Sequence, residues 1–319
     1  MKLFIAGATG VLGRRLIPQF RERGHSVACL SRSPKNDATI RSFDGEARQA
    51  DLFNADSLAR AAEGADVIIH AATSIPSGQK PRREDWKMND AIRVQATRAL
   101  AEAAARVRAK LFLVQSIVWI VRPHDMAPFH EDSPYNSDPM IQSAVEMEKI
   151  SVAAGQQHGF GVAILRGGWF HSADASHTRT FGRALAARKL PVIAKGNAIW
   201  PMIHVDDFAS AFAAAAVAGR SGVWHVTDNA GVASGEYLRA FAKKIGAPEP
   251  RSVPAWLARL AVGSDAVKFL TASTRTSNER FRRDFGWTPR YPTYREALDE
   301  IVSSWRRENF LEPGNKIAA

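Results

Sequence analysis

The residues with the plainest chemical purpose stand near the start of the chain: Gly7-Ala8-Thr9-Gly10-Val11-Leu12-Gly13. Glycines at 7, 10 and 13 give the spacing GxxGxxG, directly after an apolar run and ahead of an amphipathic one. A diphosphate needs such a loop: a tight turn without a Cβ, a backbone close enough to touch the phosphates, and a helix pressed on its strand. Free N–H groups and the positive end of the helix dipole then hold the anion. Gly7, Thr9, Gly10, Val11, Leu12 and Gly13 are therefore expected to cradle a dinucleotide. A second signal closes the next apolar run, at Ser31-Arg32-Ser33-Pro34-Lys35. An acid at that strand end would bind the ribose 2′-OH of NAD, whereas an arginine accommodates the 2′-phosphate of NADP. With Arg32 there, flanked by Ser31 and Ser33, the sequence predicts NADP(H).

These groups need a scaffold, and the hydrophobic pattern supplies one. Apolar runs at Lys2–Ala6, Ser26–Leu30, Ala47–Ala50, Val67–His70, Lys110–Gln115 and Gly161–Leu165 read as strands. Between them, Val11–Arg23, Ala55–Glu63, Glu84–Arg108 and Pro139–His158 read as helices. Buried strands alternating with helices mean βαβ units, and right-handed crossovers make the fold an α/β, doubly wound Rossmann-type parallel sheet. Further on come a helix at Thr178–Arg188, a strand at Trp200–His204, a helix at Asp206–Ala218 and a strand at Val223–Val226. After Asn229, prolines break the chain into short helices, the last near Tyr294–Glu308. The reading is a dinucleotide-binding domain of residues 1–165 plus 196–228, with a smaller, mainly helical C-terminal substrate lobe of 166–195 plus 229–319.

Composition narrows the class. Of 319 residues, 45% are hydrophobic and 24% charged, which excludes a disordered or collagen-like chain. The single cysteine, Cys29, argues for a reducing compartment and, inside an apolar strand, for an inert thiol. No apolar run reaches the roughly 20 residues needed to span a bilayer. The apolar start is cut short by the glycine loop, too soon for a secretory signal, so a cytoplasmic location is expected. The net charge of +11 is scattered, and the basic segment Arg280–Arg283 reads as a solvated face without a nucleic-acid motif.

Tryptophans fall near strand ends at 119, 169 and 200, with Phe170 adjacent. If Trp119, Trp169, Phe170 and Trp200 converge they wall a pocket for a flat or apolar substrate; otherwise they are ordinary core. Asp206 and Asp207 read as N-caps of the following helix. The loop residues His124, Asp125, His130, Glu131 and Asp132 are titratable, but their spacing fits no metal-ligand pattern, so no metal is expected.

Taken in order, these stretches resemble the extended and atypical branches of the short-chain dehydrogenase/reductase superfamily, the NAD-dependent epimerase/dehydratase-like group. The resemblance implies adenine contact by Asp51 and Leu52 and a cofactor lining from Ala71, Ala72 and Thr73. It also implies that Asn89 lies in the long helix beside the cofactor, that Ser116 is the active-site serine, and that Arg166 and Gly167 lie beside the nicotinamide. His204-Val205-Asp206-Asp207 and Phe285–Arg290 resemble two recurring stretches of the second half. Two departures stand out. Glycine replaces the usual proline after Arg166. The superfamily's Tyr-x-x-Ser-Lys is answered here by Met140-Ile141-Gln142-Ser143-Ala144, so a pocket-facing methionine and an alanine stand where a proton donor and its lysine belong. Neither can exchange a proton. Tyr135, five positions earlier, is the candidate replacement donor.

The function expected is an NADP(H)-dependent oxidoreductase acting on a small organic substrate of carbonyl or enone type, with a non-standard proton donor. Two alternatives stay open: a non-catalytic NADP(H)-binding sensor or regulator, and a sugar-nucleotide epimerase or dehydratase. Expected partners are a small-molecule substrate and, by analogy with the superfamily, a second copy in a homodimer; neither nucleic acid nor membrane is expected.

Overall fold

The structure, a computed structural model, describes residues 1–76, 82–136 and 138–311. The first apolar run forms β1 (Lys2–Ala6), and the glycine loop leads into α1 (Gly13–Arg21). Then come β2 (Ser26–Ser31), α2 (Pro34–Ser42), β3 (Glu46–Gln49), α3 (Ala55–Ala61) and β4 (Val67–His70). The sequence reading has no counterpart of α2, because Ile40 is its only buried residue and leaves no apolar period to see. Its start signals were nonetheless present, with Ser33 as N-cap and Pro34 at the first position.

The long helix expected over Glu84–Arg108 is broken. A 3-10 turn (Arg83–Trp86) leads into α4 (Lys87–Ala91), a π-helical turn (Ile92–Ala96) and α5 (Thr97–Arg106). β5 (Leu111–Ile117), α6 (Gln142–His158) and β6 (Gly161–Gly167) follow. α6 begins later than the expected Pro139, so Met140 lies in the turn before it.

The second half adds β7 (Trp169–His171), α7 (Ser176–Ala186), β8 (Val192–Ile193), β9 (Ile199–Trp200) and β10 (Met202–His204). It continues with α8 (Val205–Ala218), β11 (Gly222–Val226), β12 (Val232–Ala233), α9 (Ser234–Lys244) and β13 (Ser252–Val253). The last helices are α10 (Ala255–Val262), α11 (Ser264–Thr271), α12 (Glu279–Phe285) and α13 (Tyr294–Arg307).

Seven strands form one parallel sheet in the order β11-β6-β5-β4-β1-β2-β3. Leu3, Ile5, Val27, Cys29, Leu113 and Leu165 face α1 and α8, in a core shared with Leu16, Phe208 and Phe212. Phe4, Ala6, Ile68, Phe112, Val114 and Ile164 face the other way, in a core shared with Leu58 of α3 and Leu100 of α5. With both faces covered, alternation vanishes, which is why these strands read as continuous apolar runs. The second lobe has its own core, including Leu185, Val192, Phe241, Leu298, Ile301 and Trp305.

The two parts interleave more than the expected boundaries have it. Trp200 and Met202 belong to the lobe core, whereas Phe281 and Trp287 pack on the sheet core. Among the described residues, no helix is long and apolar enough to cross a membrane.

Candidate active site

The glycine loop is dictated by backbone contact. Gly7 has φ +96°, and a Cβ there would fall 2.5 Å from the backbone of Ala71 and Ala72. At Gly13 it would fall 2.2 Å from the Gly7 carbonyl oxygen. Gly10 differs: its amide donates to the Gly7 carbonyl at 3.1 Å, and a Cβ would meet only that same oxygen, at 3.3 Å. The middle glycine thus leaves open space above the loop, where a diphosphate would press. The amides of Val11, Leu12 and Gly13 donate to no acceptor among the described residues. Such N–H groups at a helix start form an anion site. Residues Gly7 to Gly13 therefore fit a dinucleotide diphosphate.

The first turn of α1 carries Arg14 and Arg15, the wrong sign for that end of a helix dipole. Carboxylates offset them: Arg14 and Arg15 pair with Asp174 at 2.9 and 2.8 Å, and Arg15 also pairs with Asp206. Asp206 is thus an ion-pair partner and not the expected cap. The cap of α8 is His204, whose Nδ1 accepts from the Asp206 amide, while buried Asp207 accepts the amides of Arg290 and Tyr291.

At the end of β2, Arg32 is exposed, with no ion pair or hydrogen bond to any described residue. Ser31 donates to the Ser33 carbonyl at 3.2 Å, and the Ser33 hydroxyl caps α2. Asp51 is exposed and accepts the Phe53 amide, while Leu52 is buried in the sheet core. Ala71 continues the β4 ladder to Ala6, and Thr73 is exposed just beyond.

The site's floor lies where β4, β5 and β6 end. His70 aligns with Val114, and Ser116 with Arg166, so His70, Ser116 and Arg166 sit on the sheet face covered by α5 and α6. Burial pushes His70 down to about 4, and the positive Arg93 acts in the same direction, so the imidazole is neutral. Ser116 is buried and its Oγ has no hydrogen-bond partner. Asn89, fully buried, accepts the Ser74 amide with Oδ1 but leaves Nδ2 unpartnered. Unsatisfied buried polar atoms are costly, and bound polar groups would satisfy the Ser116 hydroxyl and the Asn89 amide.

Arg166 turns toward α6. Its Nη2 and Nε meet Glu148 at 2.7 and 2.9 Å, and Nη1 donates to the Glu131 carbonyl. The Tyr135 hydroxyl donates to the same Glu148 at 3.1 Å, and its ring lies against Arg166 and Lys149. Burial and the Glu148 charge push this phenol up to about 12. The phenol thus keeps its proton beside the Arg166–Glu148 pair. Ala144 is fully buried, in an apolar cluster with Val118, Ile120, Val121, Phe129 and Val145.

The loop acids and bases are likewise structural. Glu131 accepts the His225 amide, and Asp132 pairs with Arg280, which is therefore not the solvated face expected of Arg280–Arg283. His124 and His130 are exposed, and no group of residues able to hold a metal occurs among the described residues.

The three tryptophans do converge. Trp169 stacks on Trp200 at 4.9 Å and meets Trp119 edge-on at 6.2 Å. Phe269, which the sequence reading missed, touches both Trp119 and Trp169. Phe170 points the other way, onto Phe208 in the sheet core, as period-two alternation requires. Gly167 is wedged against the Phe170 and Phe208 rings. Gly168 is forced by Pro201, whose carbonyl oxygen would lie 2.2 Å from a Cβ.

Sequence reasoning also missed Arg93 and Ser143, whose groups meet at 3.4 Å. Their signal was a charged residue on the otherwise apolar face of a helix.

The sequence pattern of the NAD dependent epimerase/dehydratase family matches residues 3–227. A Streptomyces 3-diazoavenalumate denitrifying reductase is 32% identical over 311 residues, 93% of this chain and 99% of that protein. An uncharacterised Saccharomyces cerevisiae protein is 27% identical over 91% of this chain and 95% of its own. Among solved structures, the human epimerase family protein SDR39U1 with NADPH superposes with a TM-score of 0.79 at 20% identity, covering 95% of this chain and 99% of that one. A Bacillus cereus UDP-N-acetylglucosamine 4-epimerase gives 0.76 at 17% identity, over 96% and 99%. The chain belongs to the NAD dependent epimerase/dehydratase family, an NAD(P)-binding Rossmann family.

Proposed function

We propose that this family member is an NADP(H)-dependent reductase whose small aromatic substrate accepts hydride without needing a proton from the protein. The contrast that supports the reading is between a glycine loop whose backbone fits a diphosphate and the Met140 and buried Ala144 at the start of α6. In this reading the amides of Val11, Leu12 and Gly13 hold the diphosphate, Arg32 clamps the 2′-phosphate, and Asn89 and Ser116 hydrogen-bond polar groups at the nicotinamide end. A flat ring would lie against Trp119 and Trp169, the half-buried members of the cluster, with Trp200 packed behind them in the core.

When bound, the reduced nicotinamide supplies a hydride. A carbonyl acceptor becomes an alkoxide and needs a proton at once, the task of the missing tyrosine and lysine. An arenediazonium does not: hydride adds at the ring carbon, the C–N bond breaks, and its electron pair leaves in dinitrogen. The arene is reduced, the nicotinamide oxidised, and no proton is exchanged. The Streptomyces relative, named for a diazo compound and for denitrifying reduction, supports this choice over the carbonyl and enone classes. Ser116 then serves as a dipole that orients the substrate.

The test is purified protein with NADPH and a panel of an arenediazonium carboxylate, an aldehyde and an enone. Loss of reduced-nicotinamide absorbance with equimolar dinitrogen from the diazonium is expected, with the carbonyls far slower. Tight NADPH binding with no consumption by any acceptor would instead establish the sensor reading.

A further inference from the structure

Burying a guanidinium without a counter-charge is expensive, and proteins seldom leave one so. Three arginines here are at least nine-tenths buried: Arg93, Arg122 and Arg166. Arg166 has Glu148, and Arg122 lies over the Phe269 ring and donates to Thr274. Arg93, 7% exposed, has only the through-space pull of the Asp90 carboxylate and no ion pair of its own. Among the described residues its guanidinium forms no ion pair and makes one long hydrogen bond, 3.4 Å to Ser143 Oγ. The nearby Asp90 carboxylate pairs with Arg83 instead, at 3.2 Å. A guanidinium has five N–H donors, so most of its capacity is unused.

Its place is as telling. Arg93 sits on the π-helical turn Ile92–Ala96, an irregularity found mostly at functional sites. It reaches Ser143, next to Ala144 on the first turn of α6, and its charge is felt by His70 at the end of β4. It therefore lies one turn after Asn89, against Ser143 and within electrostatic reach of His70, on the side of the sheet that also carries Ser116. Burial pushes Arg93 down to about 10, which still leaves it fully charged near neutrality.

We propose that Arg93, seated by Ser143, is the anchor for a carboxylate on the organic substrate and so sets its specificity for acids. This deepens the reductase reading and rests on its placement of the substrate. A carboxylate matches the unmet need because it brings a full negative charge and two acceptors to the guanidinium fork. A ribose hydroxyl would bring no charge.

The experiment is calorimetric titration of NADP⁺-saturated protein with cinnamate and with cinnamide, as acid and neutral probes of one shape. Wild type is expected to favour the acid by roughly 10-fold or more, the scale of a charge-assisted bond. Arg93→Gln should bring that ratio to about 1 with NADP⁺ affinity unchanged, and Arg93→Lys should keep part of it. Because most of its donors are unused and Asp90 is already paired with Arg83, Arg93→Gln should melt little or no lower than wild type without ligand, whereas loss of a purely structural arginine would lower the melting point. The inference is overturned if wild type shows no acid preference, or if the preference survives Arg93→Gln. It is equally overturned if the variant loses NADP⁺ affinity while keeping the preference, which would assign Arg93 to the cofactor. Acid binding that depends on Arg93 without diazonium turnover would sink the reductase reading and leave this one standing.

Discussion

The diphosphate loop and the start of α6 are constrained in different ways. In the loop, Gly7 and Gly13 admit no side chain, since backbone atoms stand 2.5 and 2.2 Å from where a Cβ would go. At the start of α6 the constraint comes from side chains: Met140 lies in the preceding turn and Ala144 is buried in an apolar cluster. A site that binds through its main chain cannot drift without unfolding. One that acts through side chains changes its chemistry while the fold stands.

The comparison breaks most severely at Glu148. Removing it by Glu148→Ala strands Arg166 in the interior and should cost about 3–5 kcal/mol, read by urea denaturation. If stability hardly changes, the scaffold behind α6 does not depend on that pair. Gly10→Ala tests the loop side, because the middle glycine alone has room. It should lower NADPH affinity about 10-fold or more while moving the melting temperature little. An equal loss of stability would mean that Gly10 serves the fold and not the phosphates. Arg32→Gln should weaken NADPH about 10-fold and leave NADH unchanged, by titration of each. Equal losses would remove the 2′-phosphate assignment.

The smallest effect concerns pH. Burial pushes Asp228, just past β11, up to about 8, above the ordinary carboxylate range, despite the Ala230 amide on its Oδ1. The native state then holds a proton that the unfolded chain has released, so stability is greatest below about pH 4 for this group and is lost as pH rises through about 8. Asp228→Asn should flatten that slope in melting curves taken across the range, by roughly 1 kcal/mol or more. A variant whose slope equals wild type's would place the titration elsewhere.

The sequence was most legible where burial is two-sided. Lys2–Ala6 and Val67–His70 match their strands to the residue, and the glycine spacing announces its loop before any coordinates. Boundaries blurred where the pattern was weak: α2 buries one side chain, and the π-helical turn keeps helical periodicity while shifting its phase. The sequence shows Met140 and Ala144 where the resemblance would place a tyrosine and a lysine. The fate of Tyr135 was not visible, because its partner Glu148 is thirteen positions away and only folding brings them together. Arg93 looked like one arginine among many, since sequence does not show which charge lacks a partner.

The pairs from Arg14 and Arg15 fasten α1 to Asp174, between β7 and α7 of the second lobe, while Arg15 also holds Asp206 on α8 behind the sheet. One short helix thus serves as both landing place and hinge pin. These bonds are partly exposed, so added salt loosens them. Raising ionic strength should therefore weaken nucleotide capture and the grip between the lobes together, coupling two properties that no single contact joins.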